Sequence, residues 1–296
     1  MLWAAFTVLA SGAQTLRNAT QRDLTGRLGA LGAAHVRFLF GFPFGLGFLA
    51  LALLVTGEPL PRMDGRYFAW TAAGGLTQIA ATALMLSAMT RKSFVVTTAY
   101  TKTEPVQVAI FGLVFLGDRL TPLLALAILI ATTGVMILGW PRAAQRGDRK
   151  DELQAALSGI AAGGLFALSA ICFRGGIHAL ADGSSWMRAS TTLAVGLGLQ
   201  TLVLLAYLLT RDRGMLAAIL AAWRPSLAAG FLGAAASQFW FLAFALTTAA
   251  RVRTLALIEV LFAYAISGRL FRERLSLREV AGMGLVVVGV ALSLNA

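Results

Sequence analysis

Along the chain, long apolar runs alternate with short clusters of charged and turn-forming residues. A helix rising about 1.5 Å per residue needs about 20 apolar residues to cross a hydrocarbon core of about 30 Å. Each run therefore predicts one membrane-spanning helix. The runs fall at 2–18, 31–55, 67–89, 94–116, 121–140, 153–174, 186–210, 226–248, 252–271 and 277–294. Their separators include Arg22-Asp23-Leu24-Thr25-Gly26-Arg27, Gly57-Glu58-Pro59-Leu60-Pro61-Arg62, Arg91-Lys92, Gly117-Asp118-Arg119 and Arg211-Asp212-Arg213-Gly214. The longest and most charged, Arg142 to Glu152, reads as a linker between two halves. Most runs are apolar all round, which favours lipid-embedded helices over a soluble bundle. Period-two alternation is missing, which argues against an outer-membrane barrel.

Composition sharpens this picture. Of 296 residues, 58% are hydrophobic and 13% charged, whereas soluble domains carry about a quarter charged residues. That balance excludes a soluble enzyme, a secreted disulfide scaffold and a disordered tail. Cys172 is the only cysteine, so neither a disulfide framework nor a cysteine zinc site is expected. The net charge of +12 sits in short loops rather than on a soluble basic element. It is read as setting orientation, and no nucleic-acid partner is expected. The start, Met1-Leu2-Trp3, has no charged leader region, so no cleavable signal peptide is expected. With His35 and His178 the only histidines and no HExxH, GxSxG or P-loop, neither an enzyme nor a metal or other cofactor is expected.

Comparing the chain with itself reveals a duplication. Ala72-Ala73-Gly74-Gly75-Leu76 matches Ala228-Ala229-Gly230-Phe231-Leu232 at an offset of 156. Glu104 matches Glu259, Asp118-Arg119-Leu120-Thr121 matches Glu273-Arg274-Leu275-Ser276, and Gly134 matches Gly289, all at 155. Arg37 with Gly45-Leu46-Gly47 matches Arg188 with Gly196-Leu197-Gly198 at 151. Five collinear matches at nearly constant offset indicate an internal repeat. The predicted fold is an all-α membrane protein of ten helices: a first five-helix repeat at 1–141, a linker at 142–152 and a second repeat at 153–296. An odd number of helices per repeat inverts the second copy in the membrane, an arrangement common among secondary transporters. It favours a carrier over a channel, for which no ring of pore charges is evident.

On the duplication, the Glu104-Pro105 step and the repeated acid-Arg-Leu-Thr/Ser turn, the chain resembles the ten-helix EamA-type branch of the drug/metabolite transporter superfamily. The resemblance covers nearly the whole chain. It implies export or exchange of small metabolites without a nucleotide-hydrolysing subunit, and leaves the substrate open. One departure is Glu259-Val260 in place of Glu104-Pro105, so a helix break is expected in one half only.

Ionisable residues inside a span are costly and are functional candidates by default. Arg37, Lys102, Glu104 and Glu259 qualify. The two glutamates, equivalent through the repeat, can titrate with a coupling proton, bind a substrate ammonium, or pair with a neighbouring helix through Lys102 or an arginine. Pro105 lacks an N–H and frees the carbonyl of Thr101, in the most polar stretch of any span, Thr97 to Thr103. Tyr100, Glu104 and Gln107 share one helix face, whereas Lys102 lies about 200° from Glu104 and is expected to meet another helix or a substrate carboxylate. Weaker candidates are Gln14 on the polar side of the first helix, Gln78 and Thr82 on the third, and Gln238 beside Trp240, Phe241 and Phe244. Arg37 and Arg188 are expected to snorkel to the interface or pair with a loop carboxylate.

The expectation is therefore a multi-pass transporter of a prokaryotic inner membrane, its partners a small-molecule substrate, the bilayer and a coupling proton. It would export small polar metabolites, chiefly amino acids or analogues, by alternating access through a central cavity. The alternatives are an exchanger of anionic metabolites, a drug exporter and, more remotely, a channel or structural membrane protein. Ten spans put both termini on one side. Loops on that side carry 7 Lys and Arg against 16 on the other, which places the termini in the periplasm.

Overall fold

The computed structural model describes residues 1–91, 100–139, 149–262 and 276–296, and among these there are helices and connections but no strand. In chain order the helices are α1 (Leu2–Leu39), α2 (Phe42–Thr56), α3 (Gly65–Arg91), α4 (Glu104–Phe111), α5 (Pro122–Leu138), α6 (Arg149–Ala179), α7 (Ser185–Arg211), α8 (Arg213–Ala221), α9 (Trp223–Leu246), α10 (Ala249–Leu255) and α11 (Leu277–Leu294). A π-helical turn, Gly112–Leu116, extends α4. Several starts are fixed by local chemistry. Thr121, Ser184 and Asp212 accept backbone N–H bonds at the starts of α5, α7 and α8, and Ser276 with Glu279 forms a capping box on α11.

Among the described residues, Gly32–Thr56, Leu153–Ala179, Ser185–Arg211, Trp223–Leu246 and Leu277–Leu294 are long and apolar enough to cross a membrane. Glu104–Leu116 and Pro122–Leu138 are apolar but shorter.

Three elements differ from the sequence expectation. The Arg22–Arg27 separator is helical: α1 runs from Leu2 to Leu39 and departs from helical geometry at Gly29 (φ 67°, ψ 178°). No proline interrupts it, so the polar residues stay in the helix, and the chain bends where glycine alone tolerates the backbone. The Arg211–Gly214 separator also starts a helix of its own, α8, capped by Asp212. Third, Arg37 is buried at 8% exposure, its stem against Gly233 beside that of Arg17, rather than reaching out to the interface. Residues 142–148 of the linker and Glu273-Arg274-Leu275 of the second acid-Arg-Leu turn lie outside the described residues.

The chain forms two compact units, and each takes residues from both halves of the sequence. The first comprises Met1–Ile79 with Cys172–Thr247, the second Ala80–Ile171 with Thr248–Ala296. In the first unit α1 packs along α9 and α2 along α7. A Cβ on Gly230 would lie 2.5 Å from the carbonyl carbon of Phe40, so small residues permit this approach. In the second unit α5 packs along α11 in the same way. A Cβ on Gly289 would stand 2.6 Å from the Ala131 nitrogen, and one on Gly134 would stand 2.7 Å from the Gly282 oxygen.

Candidate functional site

The second unit gathers three of the four charged candidates, Lys102, Glu104 and Glu259, at two helix breaks, while Arg37 belongs to the first unit. Residues 100 and 101 are helical, 102 and 103 form a turn, and α4 begins at Glu104 with Pro105 in its first turn. Across the turn the backbone bonds tighten to i→i+3 spacing: Thr103 N–H to Tyr100 O (3.2 Å) and Val106 N–H to Thr103 O (3.1 Å). The proline cannot donate to the Thr101 carbonyl, which lies against α6, where a Cβ on Gly163 would come within 2.9 Å of it. Gln107 secures the break. Its Nε2 donates to Thr103 Oγ1 and to the Ile160 carbonyl, each at 3.2 Å, across the Gly163-Gly164 step.

The second repeat breaks at the equivalent place without a proline. Helix α10 ends at Leu255, Ala256 and Leu257 turn, and 258–262 are helical again. Here too i→i+3 bonds mark the turn: Leu257 N–H to Thr254 O (3.2 Å), Glu259 N–H to Ala256 O (3.0 Å) and Val260 N–H to Leu257 O (3.1 Å). The expectation of a break in one half only is thereby corrected. A tightened turn does here what the proline does in the first repeat. Both glutamates thus enter the first turn of a helical segment, where free N–H groups favour a carboxylate.

Each glutamate pairs with a cation from the other repeat. Lys102 Nζ donates to Glu259 Oε1, and Arg253 Nε lies 3.0 Å from Glu104 Oε1. The Arg253 contact is held by charge rather than by an aligned hydrogen bond. Side-chain exposure is 22% for Lys102, 11% for Glu259 and 14% for both Arg253 and Glu104. Glu104 also lies within electrostatic reach of Lys102 and Glu259, so two acids and two bases form one neutral cluster. Such a group satisfies its own buried charges yet offers both signs to a ligand. Tyr100, half-buried, contributes its carbonyl to the first break, where Thr103 Oγ1 also donates to it at 2.7 Å, and Thr82 is buried in the same unit.

The remaining candidates belong to the first unit and have separate partners. Gln14 Oε1 accepts from Trp240 Nε1 at 3.3 Å, Gln78 Oε1 accepts from Gln200 Nε2 at 2.8 Å, and Gln238 Nε2 donates to Ser190 Oγ at 2.9 Å. Phe241 is buried, its ring 4.7 Å from that of Phe173. Of the polar run preceding Glu104, residues 97–99 lie outside the described residues.

Sequence reasoning missed Arg253, counting it with the loop charges because the ninth run began at 252. Its place in the first turn of that run was the available signal. Gln107 was placed on the face of Tyr100 and Glu104, but its clasp on α6 needed the fold.

Apolar helices of spanning length, with two equivalent breaks that carry crossed ion pairs, mark a multi-pass helical membrane protein. The model of the EamA-like transporter family matches residues 1–140 and again 153–295, and the chain belongs to that family, within the drug/metabolite transporter superfamily. Its members transport small molecules across membranes. A crystal structure of another protein shares the fold with a TM-score of 0.71 at 15% identity, over 99% of this chain and 95% of that one. No curated protein matches in sequence.

Proposed function

We propose that the protein is a secondary active transporter that exports small polar metabolites, amino acids or their analogues, from a prokaryotic cell across the inner membrane. It would do so by alternating access of ten helices in two inverted repeats, with both termini outside. The crossed pairs Lys102–Glu259 and Arg253–Glu104 carry this reading. A zwitterion entering between Lys102 and Glu259 sets its carboxylate on the lysine and its ammonium on the glutamate, so every buried charge keeps a partner. A lone cation or anion would strand one of them, which is costly at low exposure. Both cations already hold carboxylates, which weighs against the anion-exchanger alternative. Protons couple if Glu104 or Glu259 takes one up when its partner leaves.

Counterflow in proteoliposomes tests this. Labelled amino acids should exchange, while their amides and N-acetyl derivatives should not, and Glu104→Gln should abolish or uncouple exchange without unfolding the protein. Equal transport of the N-acetyl acids would favour the anion exchanger. Wild-type rate and pH dependence in Glu104→Gln would remove Glu104 from the mechanism.

A further inference from the structure

Helix α8 lies between two of the apolar segments of spanning length, α7 and α9, and is itself nine residues long. At 1.5 Å per residue it reaches about 14 Å, too short for a hydrocarbon core of about 30 Å. One side is anchored: Ile219 is fully buried, and Met215, Leu216 and Ala222 pack against Leu24, Leu28, Val36 and Leu208. A Cβ on Gly32 would lie 2.7 Å from Met215 Sδ, so α1 and α8 are in close contact. The other side stays apolar although uncovered: Leu220 is 54% exposed, Trp223 49% and Leu227 38%.

The ends of this uncovered face are basic. Arg211, Arg213 and Arg224 are all exposed. Arg213 gives its Nε to the Leu209 carbonyl at 2.9 Å, closing the end of α7, and Arg224 stands over the Trp223 ring at 5.3 Å. The acid among them, Asp212, is engaged in capping α8 through Met215 N–H at 2.9 Å. An apolar stripe beside an aromatic ring and exposed arginines is the pattern of a helix lying at the headgroup level of a bilayer. Because the fixed charges are cationic, the complementary surface is anionic.

We infer that α8 and the first turn of α9 form a docking surface for anionic phospholipid headgroups, with Leu220 and Trp223 set into the acyl boundary and Arg211, Arg213 and Arg224 on the phosphates. This surface is independent of the charged cluster in the second unit. It assigns a lipid partner to a segment the transport reading leaves unused.

The test uses the full-length protein in nanodiscs of phosphatidylcholine alone or with one quarter phosphatidylglycerol. At low salt the anionic lipid should raise the unfolding temperature by about 5 °C. In half-molar salt, where charges more than a few ångströms apart are screened, most of the rise should vanish. The triple variant Arg211→Gln, Arg213→Gln, Arg224→Gln should keep less than half of it. No rise for the native chain, or the full rise in the triple variant, overturns the inference. Should the triple variant not fold, Leu220→Cys labelled with a polarity-sensitive dye decides instead. The native Cys172 is buried at 4% exposure, so labelling falls on the new thiol. Blue-shifted emission in vesicles of the mixed lipids supports the surface, and water-like emission overturns it. Loss of transport with a normal lipid response would instead count against the proposed function alone.

Discussion

Lys102→Met removes the ammonium from Glu259 and leaves a carboxylate among apolar helices. Breaking a buried pair from one side costs about 3–5 kcal/mol, because the survivor keeps its desolvation cost without its partner. Here the lysine side chain is 22% exposed and the glutamate 11%, so water offsets part of that cost and about 2–4 kcal/mol is expected. Glu259→Met should cost a similar amount from the other side. The double variant strands nothing. It replaces an ion pair by two flexible apolar side chains, an exchange that is often neutral, so it should lie within about 1 kcal/mol of the native protein. At about 2 °C per kcal/mol for a chain of this length, the singles should melt about 4–8 °C lower in detergent and the double within about 2 °C of native. Tryptophan fluorescence on heating measures all four proteins of the cycle. If the single losses add in the double variant to within about 0.5 kcal/mol, Lys102 and Glu259 do not form a pair and the crossed arrangement fails.

Three glycines give further checks. Gly163→Ala places a methyl 2.9 Å from the Thr101 oxygen, a backbone atom of the broken helix, and should cost about 1–3 kcal/mol in the same melting assay. Gly12→Ala, with nothing within 4 Å of the added carbon, should raise stability by up to about 1 kcal/mol through helix propensity; equal losses at both sites would mean that α6 does not approach Thr101. Gly29→Ala meets open space but must adopt a φ of 67°, so it should cost about 1–3 kcal/mol from backbone strain alone. An unchanged melting temperature there would mean that α1 has no such bend.

The class of the protein was legible because its apolar runs and its repeat are both local readings of one string. Glu104, Glu259 and Lys102 were legible for the same reason, as charges standing inside such runs. Their partners were not. The 200° angle between Lys102 and Glu104 ruled out a pair within one helix, but which facing helix supplies the acid depends on how α4 and α10 meet. The start of helix α8 hid inside a charged separator whose Asp212 caps as readily as it turns. The break before Glu259 was missed because proline is only one way to interrupt a helix: three i→i+3 bonds around Leu257 do it with ordinary residues. The 22–27 stretch misled in the opposite sense, since polarity in the sequence was taken as a loop where the chain remains helical.

Duplication explains the acids better than it explains the bases. Glu104 and Glu259 occupy equivalent positions, but the residue equivalent to Lys102 is Leu257, and the one equivalent to Arg253 is Thr98. Each repeat has therefore kept its acid and acquired its own cation at a different turn. The two pairs are unequal as a result. Arginine is planar and weakly hydrated and suits a lasting buried pair, whereas the lysine ammonium is a compact, strongly hydrated charge on a flexible stem. Lys102 is also the most exposed of the four side chains, at 22%. Under the proposed function the Lys102–Glu259 pair is then the one a substrate opens, while Arg253–Glu104 holds the two breaks together. A symmetric pair of arginines would resist a substrate equally at both sites. The asymmetry gives a transporter one pair that yields and one that stays closed.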